Sequence, residues 1–303
     1  MRFLLVILIS FFVSFGAVAK EYNVLVGNKV GSNDSLYMRT FMAASGVNYQ
    51  IQYMPGASSR TALDYLLKNK DKEILMLAVL NLPMNMVMSD DPVPLSSLEW
   101  VGSLSGETSV LVTNKQNSKI NTFKDLQKKK IFFARSINFS EDIYNLVNSR
   151  VGTKFEFVKG YKGRSETLLA IQRNEADVTN SSTAGDGISN FKPIVQMRMS
   201  RDPVLANVPS LNEYVRDNET KKIFTFLLMP YTVSHPLLLA PGTSNSVLAQ
   251  YRKMFDTVVL MPKYKKALAD LKLNDSPVSG LELEKIFKSY PDGAKLVKKA
   301  LAR

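Results

Sequence analysis

Residues 155–178 compress a strand, a glycine turn, a helix and a second strand into roughly two dozen positions, the size and order of a βαβ crossover. Gly160 and Gly163 permit a tight turn, and Ser165 stands where it caps a helix whose Leu168, Leu169 and Ile171 share one side. Asn174 suits the left-handed residue that closes such a helix. A crossover of this kind joins parallel strands covered by helices, so it commits the chain to a layered α/β fold. A helix N-terminus delivered by a glycine turn also gathers free N–H donors, the chemistry of an anion seat. On spacing alone, the unit serves equally well as scaffold.

The rest of the chain repeats the pattern. Apolar strand-like runs fall at 22–27, 49–54, 74–79, 100–104 and 109–113, with helical patterns between the first ones, which predicts a mostly parallel sheet. Asn33 or Asp34 caps a helix carrying Tyr37, Phe41 and Ala44 and stopped at Gly46; Ser58 or Ser59 caps the next, with Leu63, Leu66 and Leu67 inward. A second series follows Asn121: helix 122–128, strand 130–134, helix 140–149, strand 154–158, the crossover unit and strand 194–199. Strand character returns at 223–229 and 232–240, before amphipathic helices run to Arg303. A second α/β set inserted between two parts of a first requires two crossings, near 109–114 and 227–234. This predicts two lobes, 20–112 with 230–303 and 113–229, in a hinged clamp.

Arg2, the apolar run 3–15 and the small-x-small sequence Ala17-Val18-Ala19 predict a signal peptide, residues 1–19, cut after Ala19. Thirteen apolar residues at about 1.5 Å each are too short to span a hydrocarbon layer of roughly 30 Å. The chain contains no cysteine, which excludes disulfides, thiolate metal sites and a thiol nucleophile. Export without disulfides fits a bacterial periplasm. The formal net charge is +12, but export argues against nucleic acid as the partner. Ten basic and five acidic residues lie between Lys263 and Arg303, at the spacing of solvated helix faces.

Catalytic and metal-binding signatures are missing. The single histidine, His235, sits before Pro236 in an apolar stretch and reads as structural. There is no nucleophile elbow, and Asp90-Asp91-Pro92 lacks calcium-loop spacing. No phosphate loop or dinucleotide fingerprint occurs. The expectation is a protein that is not an enzyme and carries no metal or cofactor. What the chain offers instead is polar strand-to-helix loops: Gly31, Ser32 and Asn33; Pro55, Gly56, Ala57 and Ser58; Ser136 and Ser140; Tyr161; and, after the crossover strand, Asn180 and Ser181. In an open α/β sheet such loops converge outside the carboxyl ends of the strands and form a binding cleft. Arg60, in the first turn of its helix, and Arg135, directly after a short apolar strand, could each fork onto a carboxylate. An ion pair within the protein is the alternative for Arg135, and a solvated surface position for Arg60.

Several of these segments together resemble the solute-binding receptors of tripartite tricarboxylate transporters, the TctC or Bug family, over nearly all of residues 22–290. Pro55-Gly56-Ala57 stands where that family has Pro-Gly-Ala-Gly-Gly. Tyr161-Lys162-Gly163 followed by Ala176-Asp177-Val178 is similar to its Tyr-Lys-Gly helix and Val-Asp strand. Residues 202–211, with Val208-Pro209-Ser210, resemble its proline-bracketed segment, and Leu239-Ala240-Pro241-Gly242-Thr243 resembles the entry to its C-terminal helices. The resemblance implies a type II periplasmic-binding-protein fold, two α/β lobes joined by two hinge strands. It implies a monomeric receptor that closes on a small organic anion, a carboxylate, and delivers it to membrane permease subunits; the same clamp could instead present its ligand to a membrane sensor kinase. The departures fall where the ligand belongs. Ser58, Ser59 and Arg60 replace Gly, Gly and usually Asn, while Arg135, Ile137 and Phe139 replace a Ser and two Gly. The first loop matches loosely, with Arg39 one position beyond the usual arginine. Side chains where glycine is expected predict a differently shaped pocket.

Overall fold

The computed structural model describes residues 20–89, 91–116, 118–136, 141–182 and 188–302. The expected signal segment 1–19 and the loop residues Ile137, Phe139 and Ser140 lie outside the described residues.

The first part of the chain alternates strand and helix: β1 (Glu21–Val26), α1 (Asn33–Ser45), β2 (Asn48–Tyr53), α2 (Arg60–Lys68), β3 (Ile74–Leu77), α3 (Leu82–Met88) and β4 (Glu99–Ser103). The second part runs β5 (Ser109–Asn114), α4 (Phe123–Lys128), β6 (Ile131–Ser136), α5 (Asp142–Val151), β7 (Phe155–Tyr161), α6 (Arg164–Gln172), β8 (Thr179–Ser182), β9 (Phe191–Gln196) and α7 (Asn218–Thr232). The chain closes with β10 (Pro236–Leu239), α8 (Asn245–Val258), α9 (Pro262–Asp270), β11 (Val278–Ser279) and α10 (Gly280–Leu301).

The first sheet has the order β11-β4-β10-β3-β1-β2. β1 pairs in parallel with β2 and β3, whereas β10 returns antiparallel between β3 and β4, so the sheet is mixed. All four residues of β3 are buried because both faces are covered. Leu75 and Leu77 join Phe41, Tyr251, Phe255 and Tyr264 on one side, and Ile74 and Met76 join Leu63, Leu66 and Trp100 on the other, the period-2 alternation of a strand. In the second part, β5 lies antiparallel between β8 and β9. β6 pairs in parallel with β7, and a bridge from Phe133 to Val178 brings β8 to its other side.

Three expectations change here. β5 belongs to the second sheet, so the first crossing precedes Ser109 and does not run along 109–114. The segment 223–229 is not a strand but the core of α7, capped by Asp217, whose carboxylate accepts from Thr220 N–H at 2.8 Å. Ile223, Phe224, Phe226, Leu227, Leu228 and Met229 are all buried, because α7 packs against α10 and α3 on one hand and α5 on the other. A helix covered on several sides loses its amphipathic period and reads as a strand-like apolar run. The caps also move: Ser32, not Asn33 or Asp34, accepts from Ser35 N–H, and Gly163, not Ser165, occupies the cap position of α6. Gly46 at φ 74° and Asn174 at φ 57° end their helices as expected.

Candidate ligand-binding site

The strand directions decide where a ligand can sit. β1, β2 and β3 end on one edge of the first sheet, and β10 starts there, since Ala78 N–H donates to the Pro236 carbonyl. Both crossings leave from that edge and are bonded to one another. Leu104 N–H donates to His235 O, Ser234 N–H to Ser105 O, and Glu107 N–H to Tyr231 O at 2.7 Å and to Ser234 Oγ at 2.9 Å. They enter the second sheet where β5 begins at Ser109, opposite Ser182 at the end of β8. The carboxyl ends of the two sheets therefore meet beside the crossings, the position that favours ligand binding in open α/β sheets.

A cavity of about 270 Å³ opens there, lined by Glu107, Ser109, Ser136, Arg164, Thr167, Asn180, Ser181, Ser182 and Tyr231. It corresponds to roughly nine water volumes at about 30 Å³ each, room for a small metabolite. Of the expected site residues, Ser136, Asn180 and Ser181 line it. Arg164 was not among those residues. It is the first residue of α6, delivered by the Gly160–Gly163 turn, and its Nη2 donates to Ser181 Oγ at 2.8 Å and to Ser182 O at 3.0 Å. Nη2 makes both bonds, and the Nε–H and Nη1 hydrogens of this five-donor guanidinium have no acceptor among the described residues. Arg164 as a whole keeps much solvent contact, yet burial of its head lowers its pKa, opposed by the charge of Glu107. No carboxylate lies within 4.0 Å of it among the described residues.

The two arginines singled out in the sequence are held elsewhere. Arg60 forms ion pairs with Asp64 at 2.7 Å and Asp91 at 3.1 Å, which also resolves the cost of a cation in the first turn of a helix. Arg135 pairs through Nε with Glu141 at 2.5 Å and donates from Nη1 to Ser136 O at 3.1 Å. Each guanidinium is paired with protein carboxylates, and the arginine in the wall of this cavity is Arg164. Tyr161 packs beside the small core under α6 instead of lining the cavity. Ser140 lies outside the described residues.

The first-sheet loops do not line this cavity. Gly31 is left-handed at φ 79°, Ser32 caps α1, and Asn33 is exposed. Pro55, Gly56, Ala57 and Ser58 are exposed, and the backbone keeps glycine-like angles with side chains in place: φ is 139° at Gly56, 44° at Ala57, 52° at Ser58 and 72° at Ser59. Ser59 is fully buried, and its Oγ donates to Gly27 O at 2.8 Å and accepts from Val79 N–H at 3.0 Å, joining the three loops that follow β1, β2 and β3. Behind them, Asp34 accepts from Asn28 Nδ2 and contacts His235 Nδ1 at 2.8 Å. His235 is thus a buried strut between α1 and the second crossing.

No protein-family model matches the sequence, and no curated protein does either. Solved structures do match. A TctC solute-binding protein from Polaromonas superposes with a TM-score of 0.74 at 15% identity, covering 92% of this chain and 98% of that one. MatC from Rhodopseudomonas palustris with bound malate gives 0.57 at 15% identity, covering 91% and 99%. A further R. palustris protein, with adipate, gives 0.58 at 15% identity, covering 92% and 97%. Over more than nine-tenths of its length, this chain has the fold of the TctC and Bug solute-binding proteins, the two-lobed α/β architecture of type II periplasmic binding proteins.

Proposed function

We propose that the chain is a periplasmic receptor that captures a small carboxylate beside its two crossings and hands it to a tripartite tricarboxylate-type membrane permease. The observation that carries the reading is the Arg164 guanidinium at the wall of a cavity lined mainly by hydroxyls and amides, where Glu107 is the one carboxylate in the lining and no protein carboxylate lies within 4.0 Å of the guanidinium among the described residues. Ser109, Ser136, Thr167 and Ser181 give fixed hydroxyls around that cation. Malate and adipate in proteins of the same fold are consistent with the size of this cavity.

A thermal-shift screen of mono-, di- and tricarboxylates tests the reading. A ligand at a hundred times its dissociation constant stabilises the folded state by about 2.7 kcal/mol, a shift of several degrees. The expected result is a shift with at least one carboxylate that disappears in Arg164→Ala. No shift with any of them, or the same shift in both proteins, defeats it.

A further inference from the structure

The cavity wall carries a second charge of opposite sign, and this inference rests on the carboxylate-receptor reading above. Glu107 is fixed by its backbone between the crossings, and its side chain, 19% exposed, lines the cavity together with Arg164. Its carboxylate accepts no hydrogen bond among the described residues; the one basic nitrogen within 4.0 Å of it there is His235 Nε2, at 4.0 Å. That imidazole is only 4% exposed, lies against the Tyr37 ring at 4.1 Å, and is already engaged through Nδ1 with Asp34. Two carboxylates therefore flank one imidazole. The ring's close polar contact is with Asp34, and the cavity wall presents both the Glu107 carboxylate and the Arg164 guanidinium.

A ligand bearing only carboxylates would satisfy Arg164 and bring its own negative charge toward a poorly solvated Glu107, which is repulsive selection built into the wall. A ligand bearing both a carboxylate and a protonated nitrogen satisfies both. We propose that the site selects an aminocarboxylate, a zwitterion of amino-acid type, over the plain carboxylate of the same skeleton, and that Glu107 is the specificity-determining residue.

Isothermal titration with matched pairs tests this: succinate against aspartate, glutarate against glutamate, and propionate against alanine. The expected result is that the amino member of at least one pair binds about tenfold or more tightly than its partner. In Glu107→Gln that preference should fall to within about threefold, with the plain member binding no more weakly than before. The preference of the unmodified protein reads out the proposal even where the variant fails to fold, and thermal unfolding of the variant checks that. Plain carboxylates binding as tightly as their amino partners would overturn the zwitterion and leave the carboxylate receptor standing. No binding by any member of any pair, with no shift in the wider acid screen, would overturn both.

Discussion

Arg164→Ala removes one guanidinium from the head of α6, and the structure permits its effects on binding and on folding to be separated. In the unliganded protein the side chain contributes two bonds from Nη2, to Ser181 and Ser182, at a position with much solvent contact. Losing them costs less than about 1 kcal/mol of stability, because water replaces both partners. In the complex the remaining donors face a carboxylate inside a cavity, and truncating one partner of such a charge pair costs about 2–5 kcal/mol. The open side of the cavity places the loss near the lower end, about 2–3 kcal/mol, which is roughly a 30- to 160-fold rise in Kd. Arg164→Lys should recover part of this, since it restores a point charge without the fork. Isothermal titration with the best acid from the screen measures the affinity, and thermal unfolding without ligand measures the stability. An affinity for Arg164→Ala within threefold of the parent protein, with the fold intact, refutes the placement of the ligand at this cavity.

Arg135→Ala should behave in the opposite way: breaking its partly buried pair with Glu141 lowers stability by about 0.5–1 kcal/mol while the Kd of the same acid stays within about threefold; a large affinity loss in titration would return Arg135 to the site. Ser58 sits at φ 52°, ψ 50° on the surface, so Ser58→Gly should relieve backbone strain and, after the extra freedom of glycine in the unfolded chain, gain about 0.5–1 kcal/mol, a rise of roughly 1–4 °C in Tm; a fall in Tm contradicts this. The Glu213 carboxyl is held down to about 2, first by its two bonds from Arg201 at 2.7 Å and then by Ser210 N–H. A folded-state pKa below the unfolded one gives stability that is present above the ordinary carboxylate range and is lost as pH falls toward about 2. Glu213→Gln should therefore flatten the decline of Tm across that acid range, and an unchanged slope would show that the pair does not contribute.

The layered fold was legible because its signals are local. β3 and the strands beside it stand out as short apolar runs, Gly46 and Asn174 end helices through their own backbone preferences, and the turn before α6 shows in its two glycines. α7 was misread for the complementary reason: Phe224, Phe226 and Leu228 are buried by different neighbours, so no single polar face marks the helix, and only the Asp217 cap reveals it. The glycine departures were read as blocked backbone, yet Ser58 and Ser59 keep left-handed angles, and Ser59 uses its hydroxyl to join three loops. In the sequence Arg60 and Arg135 each offer a fork to a carboxylate, and only the fold shows Asp91 and Glu141 beside them. Arg164 escaped notice by one position: assigning the cap to Ser165 left the arginine in the turn, whereas the helix starts on it.

Glu107 had no local signal of any kind, and its place in the structure explains why. It acquires its surroundings only when the two crossings close against each other, an approach so tight that a Cβ on Gly106 would stand 2.6 Å from the Thr232 carbonyl. The backbone of Glu107 is part of that junction, through Tyr231 O and Ser234 Oγ, while its side chain is part of the cavity wall; Tyr231 divides its roles in the same way. A ligand shifts a two-lobed protein toward a closed form only by the difference between its affinities for the two forms. Charges mounted on a hinge keep nearly the same position in both forms, so they select a ligand without driving closure. The driving contacts must come from groups carried by the lobes, and Arg164, on α6 and bonded to β8, is of that second kind. In the proposed receptor, Glu107 thus sets which solute is admitted, and Arg164 sets how strongly the admitted solute draws the second lobe over it.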